Sequence, residues 1–190
     1  MFNEDWYSGN QCVELIKLVR QVSHLNGAVI EIGCWEGKST ICIANNCYPA
    51  NVICNDTWLG NVEESKLTGI KHITEIILEQ RDVYGIFIKN MDFFTKKNYS
   101  VVKEDCLKWL QGFNEPVKFI HIDASHEYDS VLKTIQYILP NMISGGIICG
   151  DDFKSANMSR VDLNGGVERA VREGLPNFKN IDNLWYYVVP

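Results

Sequence analysis

The sequence predicts an α/β fold built on a buried parallel sheet, and three observations carry that prediction. Short, almost wholly apolar runs recur along the chain: AVIEIG (28–33), NVICND (51–56), YSVVKE (99–104), VKFIHID (117–123) and GIICGD (146–151). Segments with helical spacing stand between them, the arrangement that gives strands covered by helices on both faces. Each run also delivers an acid at its carboxyl end. In open parallel sheets that is the edge where ligands bind.

The elements follow in order. Cys12, Leu15, Ile16, Val19 and Val22 recur at helical spacing, and Asn26-Gly27 supplies a stop. A glycine turn after the first strand leads into a helix over 38–47. The mixed region 57–97 contains helical patterns near 66–80 and 82–91. After the third strand, DCLKWLQGF reads as a short helix with Leu107 and Leu110 inward. The clearest helix follows the fourth strand, where Tyr128, Val131, Leu132, Ile135, Ile138 and Leu139 share one stripe. Gly145-Gly146 launches the fifth strand, and a helix follows at 165–173. The chain closes as FKNI, an Asp182-Asn183 turn and LWYYVV, an antiparallel hairpin by its turn chemistry. No linker or repeat interrupts this order, so one domain over 1–190 is expected, with 57–97 inserted as a candidate lid.

Composition excludes several classes of function. The 190 residues carry 18 basic and 24 acidic side chains, a formal charge of −6. A broad phosphate-binding face needs clustered basic residues, and the longest cluster is Lys96-Lys97, so nucleic acid is not an expected partner. No stretch approaches ~18 consecutive apolar residues, so no membrane span is expected. The first residues, MFNEDWYSGN, lack the apolar core of a secretory leader. The seven cysteines are odd in number and form no C-x-x-C pair, which suits a reduced, cytoplasmic compartment.

Chemistry is expected at the strand ends. The first strand runs into Glu31-Ile32-Gly33-Cys34-Trp35-Glu36-Gly37-Lys38-Ser39-Thr40. A dinucleotide turn would read G-x-G-x-x-G, so that backbone closes on a pyrophosphate. Here the glycines are spaced G-x-x-x-G around bulky Trp35 and acidic Glu36, which suits a cationic, phosphate-free ligand or a bare strand–helix turn. Asp56, 19 residues after Gly37, is placed to accept from ribose hydroxyls. Asp105 either takes an adenine amino group or caps the next helix. Asp151-Asp152 reads as a metal-binding pair or a solvated turn, and His126 as a base or a helix cap. His121, inside its strand, is expected to be packed and hydrogen-bonded. His24 and His72 fall in helical surface patterns. Trp58, Tyr84, Phe87 and Phe93 could wall an acceptor pocket, and residues 153–164 form a second loop at the same edge.

Taken together, E-x-G-x-x-x-G-x-S-T, the acid ending strand two, I-D-A-S-H-E-Y and G-G-I-I-C-G-D-D-F resemble the class I S-adenosylmethionine-dependent methyltransferases. Among them the sequence is most similar to the macrocin O-methyltransferase-like and metal-dependent catechol O-methyltransferase-like branches. The resemblance implies a Rossmann-like, seven-stranded, mostly parallel sheet in the order 3-2-1-4-5-7-6. It implies that Glu31, Gly33, Trp35, Gly37 and Ser39 surround the methionine part of S-adenosylmethionine. Asp56 would hold the ribose, with Thr57 and Trp58 beside it, and Asp105 and Cys106 would border the adenine. Asp123, Asp151 and Asp152 match a divalent-metal site, with Mg²⁺ the expected ion, and Asp123 also borders the cofactor. His126 stands where these families place a general base, with Asp123 as its catalytic companion. The chain departs from the catechol branch, which has Asp-Asn at the pair that is Asp151-Asp152 here.

The expected activity is therefore metal-assisted O-methylation of a small hydroxylated acceptor, a sugar or glycoconjugate first. A homodimer is one assembly the length allows. Alternatives are a metal-independent O- or N-methyltransferase using Asp123 and His126 alone, and a cofactor-binding protein without catalysis. A nicotinamide dehydrogenase is disfavoured by the glycine spacing.

Overall fold

A computed structural model describes residues 2–4, 6–153 and 165–190 of the chain. Its centre is a seven-stranded sheet in the order β3-β2-β1-β4-β5-β7-β6, as the sequence resemblance implies. The strands are β1 (Ala28–Ile32), β2 (Val52–Asn55), β3 (Tyr99–Val102), β4 (Val117–Ile122), β5 (Met142–Gly150), β6 (Lys179–Ile181) and β7 (Leu184–Val188). The first five pair in parallel, while β7 runs antiparallel to both β5 and β6. Asp182 turns the closing hairpin in the left-handed region, at φ 53°.

Alternation along each strand divides the core into two. Val29, Phe119, Ile147 and Leu184 face one side, where α1 (Gly9–Gln21), α2 (Lys38–Cys47) and α5 (Val83–Phe94) supply Leu15, Ile43 and Phe87. Ile30, Ile120, Ile148 and Trp185 face the other, covered by α6 (Cys106–Gly112), α7 (Tyr128–Ile138) and α8 (Gly166–Gly174). Phe87 is fully buried on the first face. Its truncation in Phe87→Ala leaves a cavity beneath Trp58 and costs about 3–5 kcal/mol, read as a fall in the urea midpoint at unchanged slope.

Two elements differ from the sequence reading. The helical pattern at 66–80 is two helices, α3 (Val62–Thr68) and α4 (Ile73–Leu78). Gly69 separates them at φ 67°, a left-handed cap that turns the chain back on itself. β5 begins at Met142, three residues before Gly145, because its amino-terminal half extends the sheet into a more exposed margin. Among the described residues, no helix is long and apolar enough to cross a membrane.

Candidate active site

The carboxyl ends of β1, β2, β4 and β5 converge on one edge. Two glycines make the first turn possible. Gly33 lies at φ 85°, and a Cβ there would stand 1.8 Å from the Asp123 carbonyl oxygen, so the ends of β1 and β4 meet backbone to backbone. Gly37, at φ 91°, opens α2 without a side-chain cap. Trp35 and Trp58 also take positive φ, at 47° and 51°.

Asp56 braces these turns. Its Oδ2 accepts from the backbone N–H groups of Cys34 and Trp35, both at 2.9 Å, and its Oδ1 accepts from Trp58 N–H at 2.7 Å. Burial raises its pKa, and these three donors oppose the rise. The residue expected to hold a ribose is thus first the clamp of the glycine turn. Trp58 is buried, donates from Nε1 to the Trp35 carbonyl at 3.0 Å, and packs against Tyr84 and Phe87. It belongs to the core beneath the turn. Phe93, expected on an acceptor wall, is instead 80% exposed beside Phe94.

The other predicted cofactor residues divide by their partners. Ser39 is buried in the first turn of α2. Thr57 Oγ1 accepts from Leu59 N–H at 3.2 Å, closing the loop after β2. Asp105 caps α6, accepting from Lys108 N–H at 2.9 Å, the second of its two sequence readings. Cys106 is half-buried with Sγ 3.9 Å from Thr134 Oγ1, and burial raises its thiol pKa. Glu31 is fully buried; one oxygen lies 2.9 Å from His121 Nδ1, and its Oε2 has no hydrogen-bond partner. His121 is packed and hydrogen-bonded, as its place in β4 predicts. The amino-terminal segment crosses the same turn: Asn3 donates to both Glu36 oxygens, Arg81 joins Glu36 and Glu4, and Trp6 lies over Trp35.

Asp123, Asp151 and Asp152 line one narrow cleft with Ala124, Ser125 and Trp185. Among the described residues, Asp123 makes no side-chain hydrogen bond. Burial raises its pKa well above the carboxylate range, and the charges of Asp151 and Asp152 push it further. Asp151 accepts from Gln11 Nε2 on both oxygens, at 2.7 and 2.6 Å. Asp152, at φ 62°, accepts from His126 Nε2 at 2.7 Å. As clustered hard oxygen donors, these three suit Mg²⁺ in chemistry. Their ligand atoms are not gathered to coordination spacing. Among the described residues only Glu64, His72 and His126 bring one ligand atom each within 4.8 Å of the others.

His126 therefore sits between carboxylates. Its Nδ1 lies 3.0 Å from Glu64 Oε1, opposite the Asp152 contact at Nε2. Burial opposes charging of the ring, but the hydrogen bonds to Asp152 and Glu64 outweigh it and hold the pKa well above the ordinary histidine value. Glu64 and His72 were missed from the sequence. His72 is 4% exposed at the amino cap of α4, not on a helix surface, because the turn at Gly69 folds α4 back over α3. Its own cue was local: His72 and Glu75 form a capping box. The loop at 153–164 lies, beyond Phe153, outside the described residues.

Residues 30–153 match the profile of a family described as a methyltransferase domain. No curated protein matches the sequence. Among solved structures, the chain resembles the O-methyltransferase NovP at 15% identity and TM-score 0.67, covering 94% of this chain and 79% of that one. It resembles CalS11, a calicheamicin methyltransferase, at 14% identity and TM-score 0.64, covering 96% and 80%. A Bacillus cereus O-methyltransferase, solved in complex with SAH, matches at 18% identity and TM-score 0.64, covering 95% and 81%. At these identities the structures speak to the fold, which is the Rossmann-like methyltransferase sheet. The match over 30–153 spans most of the chain and takes in the glycine turn and the carboxylate edge, so the protein belongs to the methyltransferase-domain family and is a methyltransferase.

Proposed function

We propose that this methyltransferase moves a methyl group from S-adenosylmethionine to the oxygen of a small hydroxylated acceptor, a sugar or glycoconjugate first. The observation that carries this reading is the Asp123 carboxylate, half-buried beside Asp151 and Asp152 and held against the Gly33 turn by the close approach of backbone. An edge of clustered carboxylates, answered in part by His126, suits a sulfonium and a divalent cation, and it repels a pyrophosphate. The Bacillus cereus neighbour's SAH complex, and the fact that it and NovP are O-methyltransferases, favour the same donor and acceptor atom.

Methyl transfer is an in-line displacement, so alignment of the acceptor oxygen with the sulfonium carbon accounts for much of the rate. In this reading Gly33 to Gly37 hold the methionine part and Asp123 faces the transferring methyl. The acceptor hydroxyl must also lose its proton. His126 and Asp152 stand at the same edge as a hydrogen-bonded pair, 2.7 Å apart; because Asp152 and Glu64 hold the ring charged, the pair is assigned to receive the proton as a unit, through the Asp152 carboxylate. Glu64 fixes the ring from its other side. Asp123, Asp151 and Asp152 would hold Mg²⁺, which when bound lowers the pKa of a neighbouring hydroxyl and orients it.

Two results are expected. His126→Gln lowers kcat about a hundredfold or more while S-adenosylhomocysteine affinity stays within about threefold, measured by steady-state kinetics and calorimetry. Chelation with EDTA stops turnover, and added Mg²⁺ restores it. Full activity after chelation would favour the metal-independent alternative, in which Asp123 and His126 act without an ion.

A further inference from the structure

We propose that Glu64, His72 and His126 form a binding site for a borderline divalent metal ion such as Zn²⁺, separate from the carboxylate site and independent of the acceptor assigned above. The three residues come from α3, from the amino cap of α4 and from the loop between β4 and α7. Glu64 and His72 are 1% and 4% exposed. One ligand atom from each lies within 4.8 Å of the others.

The hydrogen bonds aim the right atoms at one point. Glu64 Oε1 accepts from Asn61 Nδ2 and from His126 N–H, both at 2.9 Å. Oε2 lies between two imidazoles, 3.2 Å from His126 Nδ1 and 3.8 Å from His72 Nε2, while Oε1 stands 3.0 Å from the same His126 nitrogen. Each ring's other nitrogen meets an oxygen outside the cluster. His126 Nε2 lies 2.7 Å from Asp152 Oδ2, and His72 Nδ1 lies 2.8 Å from Thr74 Oγ1. A metal-binding histidine characteristically donates its second N–H to such an oxygen, as His126 Nε2 can to Asp152; at His72 the same arrangement requires Nδ1 to give up the Thr74 N–H it accepts at 3.3 Å and to donate to Thr74 Oγ1.

Tetrahedral bonds of about 2.0–2.1 Å place ligand atoms about 3.3 Å apart. Two of the three separations, 3.2 and 3.8 Å, lie near that value, and the third is within 4.8 Å, so the rings must draw together for an ion to bind. Two imidazole nitrogens and one carboxylate oxygen select Zn²⁺ or Co²⁺ over Mg²⁺, which prefers all-oxygen ligands. Three protein ligands leave a fourth position for water or substrate. Occupation would tie α3 and α4, the early part of the long crossover at 57–97, to the loop that carries His126.

The test uses the full chain, stripped of metal and titrated with Co²⁺ while the visible spectrum is followed. One equivalent of Co²⁺ should give the d–d bands of a tetrahedral site, without a thiolate charge-transfer band. Zn²⁺ should displace it and excess Mg²⁺ should not. Glu64→Gln and His72→Asn should each weaken binding at least about a hundredfold, whereas Asp123→Asn should leave it unchanged. Asn is a good amino cap, so His72→Asn removes the imidazole while keeping an oxygen for Thr74 N–H. Circular dichroism confirms the fold of each variant, and if one variant is misfolded, the other and the wild-type spectrum decide. No tetrahedral Co²⁺ spectrum in the wild type, a thiolate band, displacement by Mg²⁺, or full binding in both folded variants would overturn the proposal. Methyl-transfer activity enters none of these readouts, so failure of the site and failure of the proposed function are separate results.

Discussion

Gly33→Ala is expected to be the most destructive single substitution at the edge of the sheet. Its Cβ would stand 1.8 Å from the Asp123 carbonyl oxygen, 2.4 Å from the carbonyl carbon and 2.8 Å from Ala124 N. All three are backbone atoms, so no side chain can swing aside. The position also has φ 85°, which disfavours any L side chain by about 1–2 kcal/mol before the collision is counted. Together these should remove about 4 kcal/mol or more of stability, seen in urea unfolding, and should abolish cofactor binding in any protein that stays folded. Gly69→Ala is the control. It shares a positive φ, at 67°, but its Cβ would meet nothing within 4 Å, so a loss of only about 1 kcal/mol is expected. Similar losses in the two variants would show that backbone strain, and not the meeting of β1 with β4, sets the cost.

Asp56→Ala should weaken S-adenosylhomocysteine binding tenfold to a hundredfold in calorimetry. The carboxylate holds three backbone N–H groups of the turns that carry Trp35 and Trp58. Hydrogen bonds to a charged group contribute about 1.5–3 kcal/mol each, and their loss frees the turn as well as any ribose contact. Asp56→Asn should not rescue binding. One of its side-chain atoms becomes an N–H₂ donor facing backbone donors, so at least one of the three groups is left unsatisfied. Wild-type affinity in Asp56→Asn would mean that the turn does not depend on the clamp.

Much of this architecture was legible in the sequence, for reasons that differ by element. The apolar strand runs and the stripe from Tyr128 to Leu139 are local patterns, and local patterns survive folding. The strand order came from resemblance to a family and could not have come from periodicity. His121 was readable as a packed residue because it lies inside the most apolar strand. Asp105 had two readings; the fold shows the cap of α6, and the adenine contact stays a proposal. Asp56 was placed at the right edge, but its bond to the turn depends on the path of the chain between Cys34 and Trp58.

Glu64 and His72 were not legible. They meet only because Gly69 reverses the chain between two short helices, and because the loop after β4 brings His126 between Glu64 and Asp152. An apparent single helix at 66–80 hid that reversal. Likewise, sequence position gathers Asp123, Asp151 and Asp152 at one edge, yet it does not say that Gln11 holds Asp151 and His126 holds Asp152. Side-chain partners drawn from distant segments decide what a cluster of acids can do. They are set by tertiary packing alone.

The central functional claim is that the carboxylate edge and the G-x-x-x-G turn take S-adenosylmethionine. The most direct measurement is a calorimetric titration of the wild-type chain with S-adenosylhomocysteine and, separately, with NAD. Binding of S-adenosylhomocysteine in the micromolar range at one site per chain, with no heat from NAD, is the predicted result. Stoichiometric binding of NAD, with none of S-adenosylhomocysteine, would contradict it.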